Sequence, residues 1–144
     1  MAVSDEFKRQ LMKDEGFRAQ VYDDHLGIPT IGYGTKIVEL NVSEEEAERW
    51  LDAELDEKEV RLRDQIPEYE HLSLVRKNVI RSMAYQMGVQ GVRRFKNMWR
   101  AIELGNWMEV GAHMRDSQWW RDPATRKRAD MMARRMMANV WRLS

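Results

Sequence analysis

The chain has 144 residues, 43% of them apolar and 33% charged, with no cysteine and a formal net charge of zero. That composition can bury a core in one domain, or in two small lobes sharing one, and is too apolar for disorder. It excludes a disulfide framework and a thiolate metal site. His25, His71 and His113 lie too far apart in sequence for a helical zinc pair, so neither a metal nor a cofactor is expected. There is no run of 18 apolar residues to cross a membrane, and Met1 to Lys8 lacks the basic and apolar regions of a secretory signal.

The first element is a helix from Ser4 to Glu15. Ser4 suits an N-cap, and Asp5 and Glu6 suit the positive end of the dipole. Phe7, Leu11 and Met12 make its apolar stripe, and Gly16 suits its C-terminal end. Arg18 to Tyr22 and Ile28 to Tyr33 read as two short strands around the turn Asp23-Asp24-His25-Leu26-Gly27, and Lys36-Ile37-Val38 offers a third. Such a sheet is too small to stand without helices.

Ser43 and Glu46 form a capping box that opens a long helix ending before Pro67. Its apolar stripe (Ala47, Trp50, Leu51, Leu55, Leu62, Ile66) is narrow and heavily flanked by charge, as suits a connector about 35 Å long that is partly buried. Ten acidic and two basic residues fall between Glu39 and Glu59. From Leu72 the pattern Leu74, Val75, Val79, Ile80, Met83, Ala84, Met87 marks a buried helix that Gly88 ends. Further helices are expected over Val92 to Ile102, Trp107 to Met114, and from Pro123 towards Trp141. On the last, Ala129, Met132, Ala133, Met136, Met137 and Val140 share one face, with Lys127, Arg128, Arg134 and Arg135 off it. Seven basic and two acidic residues lie between Trp120 and Ser144. The plain reading of both charge runs is solvated helix faces. The alternative is that the basic end touches an anionic partner, whether membrane, cell-wall polymer or nucleic acid.

The segment Asp14 to Gly34 is where chemistry is expected. Two carboxylates in distinct surroundings are the usual equipment for glycosidic cleavage, one holding a proton for the leaving oxygen and the other staying ionised. Glu15 falls at a helix C-terminus beside Asp14, where dipole, neighbour and partial burial disfavour the charged form. Asp24 falls in a turn with free backbone donors, which favour it. The Thr30 hydroxyl can position a water beside Asp24. Taken alone, a Glu and an Asp at this spacing are more often a helix end and a turn residue.

The spacing Glu15-x8-Asp24-x5-Thr30 resembles the triad of phage-type lysozymes, the endolysin muramidases of glycoside hydrolase family 24 typified by the lysozyme of T-even phages. Asp14-Glu15-Gly16, Tyr22, Gly27 and Thr30-Ile31-Gly32-x-Gly34 match as well. So do Tyr85-Gln86-Met87-Gly88, Gly91-Val92, Phe95-x-Asn97, Trp107 and Ser117-Gln118-Trp119, so the resemblance spans the chain. It implies an α+β, mostly α, lysozyme-like fold: a small N-terminal lobe (13–42) with a short antiparallel sheet, a connecting helix (43–66) and a helical lobe (67–144) on which helix 4–15 packs, all in one catalytic domain, 1–144.

The resemblance also implies hydrolysis of the β-1,4 bond between N-acetylmuramic acid and N-acetylglucosamine in peptidoglycan, with inversion. Glu15 is then the general acid, Asp24 and Thr30 hold the water, and the carboxyl groups stand about 6.5–9.5 Å apart rather than about 5 Å. Tyr85 and Gln86 are implied sugar contacts, with ordinary core packing as the other reading of Tyr85. The family places an arginine of the final helix near the acid. Arg126 and Arg128 are both candidates, because the spacing departs there from the T-even pattern. Thr35 stands where that pattern has histidine, which puts an ion pair from that position in doubt.

Peptidoglycan is thus the expected partner of a monomer, with no nucleic acid. A chain without a signal is expected to be made in the host cytoplasm and to reach the periplasmic wall after another factor breaches the membrane. Two alternatives remain: a lytic transglycosylase on the same bond, against which Asp24 and Thr30 argue, and a membrane- or wall-binding module. The latter would work through the basic C-terminal helix, contacting anionic lipid or lipopolysaccharide, although a Met-rich helix face is more often core.

Overall fold

A computed structural model describes residues 4–143. The element order is α1 (Asp5–Glu15), β1 (Arg18–Asp23), β2 (Pro29–Gly32), β3 (Thr35–Lys36), α2 (Glu44–Gln65), α3 (Leu74–Arg93), α4 (Lys96–Glu103), α5 (Trp107–Arg115), α6 (Gln118–Arg121) and α7 (Arg126–Ala138), with 3-10 turns at Ile37–Glu39 and Pro67–His71. The expected class, mostly helical with one small antiparallel sheet, is what the chain adopts. It divides into two compact units, Met1–Ala47 and Glu48–Ser144.

The first unit holds α1 and the sheet. Ser4 caps α1 by accepting a hydrogen bond from the Phe7 amide, and Gly16 closes it by donating to the Met12 carbonyl. The sheet has the order β1-β2-β3, antiparallel throughout. Thr30 pairs with Tyr22 on one side and with Lys36 on the other, and β1 bulges between Arg18 and Tyr22. A bulge adds twist to a ladder and re-aims the side chains beyond it. The third strand is shorter than expected, because Ile37 to Glu39 tighten into a 3-10 turn. Among the described residues Thr30 is the buried polar one, at 2% exposure.

The second unit holds the hydrophobic core, and 22-residue α2 runs across the boundary between the units. The capping box is made in full: the Glu46 amide donates to Ser43 Oγ and the Ser43 amide donates to Glu46 Oε2. Of the expected α2 stripe only the C-terminal end is sealed, with Leu62 and Ile66 buried and Trp50 and Leu51 exposed. Tyr69, Val79, Ile80, Met83, Met98, Val110, Met114 and Met136 form the centre of the core. Leu74 differs from expectation, being exposed at the first turn of α3, where the chain has only just left the Ser73 cap. Gly88 breaks the helical geometry as expected, at φ 80°, but the chain resumes helical turns to Arg93.

Two expectations fail near the C-terminus. The last helix begins at Arg126 rather than Pro123, because Asp122 organises a turn there. Its carboxylate accepts from the Ala124 amide and its carbonyl from the amides of Thr125 and Arg126. Val140 does not join the buried face. Asn139 takes the left-handed conformation that ends α7, and Val140 lies beyond it, exposed. Ala129, Met132, Ala133 and Met136 are buried, while Arg126, Lys127, Arg128 and Arg134 face solvent. No helix among the described residues is long and apolar enough to cross a membrane.

Candidate active site

Glu15, Asp24 and Thr30 all fall in the first unit, and local chemistry fixes each of them. Asp24 opens a turn in which its Oδ1 accepts two backbone hydrogen bonds, from Leu26 at 2.8 Å and Ile28 at 2.9 Å. The turn closes on itself: the Gly27 amide donates to the Asp24 carbonyl, and the Asp24 amide donates to the Ile28 carbonyl. A short polar side chain that can satisfy the next amides is what makes Asp a turn residue. The same bonds set its charge state. The Ile28 amide above all, helped by that of Leu26 and by the charges of His25 and Lys36, outweighs desolvation and holds the Asp24 carboxyl below the usual value. Asp24 Oδ2 makes no bond to protein among the described residues, so its acceptor sites are open to a ligand or a water.

Thr30 lies on the middle strand. Its hydroxyl donates to the Ile28 carbonyl at 2.8 Å, which leaves the oxygen lone pairs as acceptors only. Asp24 Oδ2 and the Thr30 oxygen are thus both left as acceptors.

Glu15 is the last residue of α1 and is exposed, not partly buried as expected, because the helix stops there and Gly16 carries no side chain to cover it. Its carboxylate lies beside the loop after β2. A Cβ placed on Gly34 would sit 2.9 Å from Glu15 Oε2, and Gly34 has φ +90°. Only glycine satisfies both the backbone conformation and the approach. The glycine was legible as part of a motif, but its contact with the acid was not. Neither was the part played by Ile28, since nothing in an isoleucine advertises that its amide and its carbonyl serve two site residues at once.

Tyr85 and Gln86 lie in the second unit, on α3. Tyr85 is 41% exposed, so it is not a core aromatic, and the Lys58 ammonium stands 5.8 Å from its ring centre. Gln86 is half-buried, and its Oε1 accepts from the indole N–H of Trp119 at 2.9 Å, leaving its amide N–H groups as the free polar end. The two candidate arginines differ in their partners. Arg126 stacks on Trp120 and donates to the carbonyls of Trp120 and Arg121, whereas among the described residues Arg128 reaches only the Ser82 hydroxyl, at 3.4 Å. Among the described residues no group of three or more histidine or acidic side chains is arranged to hold a metal ion.

The phage lysozyme family model matches residues 12–138. The pre-baseplate central spike protein Gp5 of Enterobacteria phage T4 is 28% identical over 138 residues, covering 76% of this chain and 24% of that protein. The peptidoglycan hydrolase gp36 of Pseudomonas phage phiKMV is 28% identical over 143 residues, covering 90% of this chain and 15% of that protein. A Dictyostelium discoideum protein described as probable T4-type lysozyme 1 is 30% identical over 141 residues, covering 78% of this chain and 83% of that protein. The chain thus spans a quarter or less of the length of these two phage relatives.

Proposed function

The chain belongs to the phage lysozyme family, and from that premise we propose that it hydrolyses the β-1,4 bond between N-acetylmuramic acid and N-acetylglucosamine in bacterial peptidoglycan, with inversion at the anomeric carbon. The observation that carries the reading is the joint fixing of Asp24 and Thr30 through Ile28, with the Glu15 carboxylate beside Gly34 in the same compact unit. Glu15 protonates the leaving glycosidic oxygen. Asp24 takes a proton from the attacking water as its oxygen bonds to the anomeric carbon, and the Thr30 oxygen accepts the other O–H and so fixes the angle of attack. Charge is conserved: one carboxyl loses a proton, the other gains one, and solvent restores both. Tyr85 and Gln86 contribute an aromatic face and an amide to sugar binding. The relative named as a peptidoglycan hydrolase supports the choice of substrate. Lysis of a bacterial host follows from this activity once the enzyme reaches the wall.

A soluble glycan-strand oligosaccharide separates the steps. Glu15→Gln is expected to lower release of reducing ends by about 10²–10⁴-fold, the span of general acid catalysis. The initial product is expected to be the α-anomer by proton NMR. Full activity in Glu15→Gln would remove the acid assignment, a β-anomer would remove inversion, and a 1,6-anhydro product would turn the reading to a transglycosylase.

A further inference from the structure

The first unit carries an aromatic pair that the mechanism above does not use. Phe17 and Tyr33 stand with ring centroids 5.5 Å apart, tilted at 49°, and both are exposed, at 64% and 43%. Large aromatics left open to water forgo a hydrophobic gain of a few kcal/mol each, so a matched pair at the surface calls for an occupant. The sequence places them tightly about the acid. Phe17 is two residues after Glu15, and Tyr33 immediately precedes Gly34, whose backbone abuts the Glu15 carboxylate. They also flank the end of the sheet: Arg18 pairs with Gly32, and Phe17 and Tyr33 are the residues immediately beyond that pair, just before β1 and just after β2.

The backbone holding Tyr33 is built rather than loose. The glycines on either side of it both have positive φ, +71° at Gly32 and +90° at Gly34. These conformations fix where the Tyr33 ring leaves the chain, at positions where other residues are strained. Thr30 is three residues from Tyr33, no more than about 11 Å along the chain. The platform, the acid and the water-holding threonine therefore lie within the reach of a few linked sugars.

We propose that Phe17 and Tyr33 form a stacking platform for a pyranose ring of the glycan strand, at a subsite adjoining the bond that Glu15 protonates. The chemistry fits the occupant. The C–H face of a pyranose is apolar and flat enough to cover an aromatic ring, while its hydroxyls and acetamido group stay in water or bind the polar groups nearby, among them the Tyr33 hydroxyl. The tilt of 49° presents two faces rather than one, suiting a strand whose successive rings alternate in orientation. This inference rests on the glycan-hydrolase reading and adds to it a binding contact on the acid's own unit.

The test uses the full chain and a soluble oligosaccharide of alternating N-acetylglucosamine and N-acetylmuramic acid. The double variant F17L/Y33L keeps apolar volume and removes both rings, so it should fold. The expected result is a KM raised about tenfold with kcat little changed, the signature of lost binding common to ground and transition states. F17Y, which keeps both rings and the Tyr33 hydroxyl, should keep the parent KM. A second arm measures oligosaccharide binding calorimetrically in the E15Q background, where F17L/Y33L should weaken the dissociation constant by the same factor. An unchanged KM in F17L/Y33L overturns the platform, as does a fall in kcat and thermal midpoint without a change in KM. If the parent chain releases no reducing ends at all, the hydrolase reading fails by itself. The calorimetric arm still decides the platform: loss of binding in F17L/Y33L supports it, and undiminished binding overturns it.

Discussion

Asp24 and Thr30 are held by one residue: the amide of Ile28 donates to the Asp24 carboxylate, and the carbonyl of Ile28 accepts from the Thr30 hydroxyl. A shift of either side chain is thereby transmitted to the other through a single peptide segment. Thr30→Val removes the hydroxyl and with it one of the two hydrogen bonds that the Ile28 carbonyl accepts, the Asp24 amide keeping the other, and should cost about 1 kcal/mol of stability. It also deletes an acceptor for the attacking water, and hydrolysis should fall by about 10²-fold. Thr30→Ser keeps the oxygen and should retain most of both. Thermal melts and initial rates on soluble glycan check the pair; equal rates for the valine and serine variants would rule out a part for the hydroxyl.

The amides of Ile28 and Leu26 set the acid side of the pH profile. They hold the Asp24 carboxyl below the ordinary value of 3.8, so it stays ionised to lower pH than a free aspartate. If Asp24 is the base, the acid limb of kcat/KM should fall below pH 3.8. Rates from pH 3 to 7, with circular dichroism confirming that the chain is folded at each point, locate the limb. A limb above 4.5 would assign it to another group.

How much of this could be read from the chain alone depends on range. The Ser4 cap, the Ser43–Glu46 box and the Asp24 turn rest on residues within four positions of one another, where residue type settles the geometry. Glu15, Asp24 and Thr30 stood out as a spacing, with proton-holding and ionised roles read from a helix end and a turn, and the resemblance then named the reaction. Contacts across longer separations were not legible. Gln86 and Trp119 meet 33 residues apart, and the sequence showed two separate residues with no sign that one satisfies the other's indole N–H. Helix α6 is only four residues long, too short to show a period, and Pro123 fits a turn as well as a helix start. The exposure of Glu15 follows from what Gly16 does not cover, which no residue type announces.

Gly34 sets the Glu15 carboxylate by leaving room for it. Gly34→Ala would place a Cβ 2.9 Å from Glu15 Oε2 on a backbone at φ +90°. The backbone strain should cost about 1–3 kcal/mol of stability, and the flexible Glu15 carboxylate should be displaced to make room. A displacement near 1 Å should lower hydrolysis by about 10²-fold. Gly105→Ala separates the two effects. It carries the same kind of strain, at φ +67°, with nothing within 4 Å of its Cβ. It should lose stability but keep its rate at temperatures where both proteins are folded. Comparable rate losses in both variants would mean that strain alone, not the approach to Glu15, matters at Gly34.

Stability at low pH should be governed in the second unit by Glu59. Its carboxylate takes both Nε and Nη2 of Arg81 at 2.8 Å, the buried Tyr69 hydroxyl at 2.6 Å and Arg63 Nε at 3.0 Å. The Arg81 hydrogen bonds, with those of Tyr69 and Arg63, outweigh desolvation and hold Glu59 at about 2 against an ordinary 4.5. Tyr69 is pushed up in turn by burial and by the same carboxylate, so it stays a neutral donor through the working range. The sign follows from the direction of the Glu59 shift. A depressed carboxyl stabilises the fold fully above the unfolded value of 4.5 and loses that contribution as pH falls towards 2. The amount is about 3 kcal/mol at the pKa separation involved. Denaturant titrations from pH 7 to 2 should therefore show a decline below pH 4.5 that is markedly shallower in Glu59→Gln. Glu59→Gln should itself be less stable than the parent at pH 7, since Arg81 keeps its charge without a counter-ion. Parallel pH profiles for parent and variant would show that the Glu59 cluster does not set acid stability.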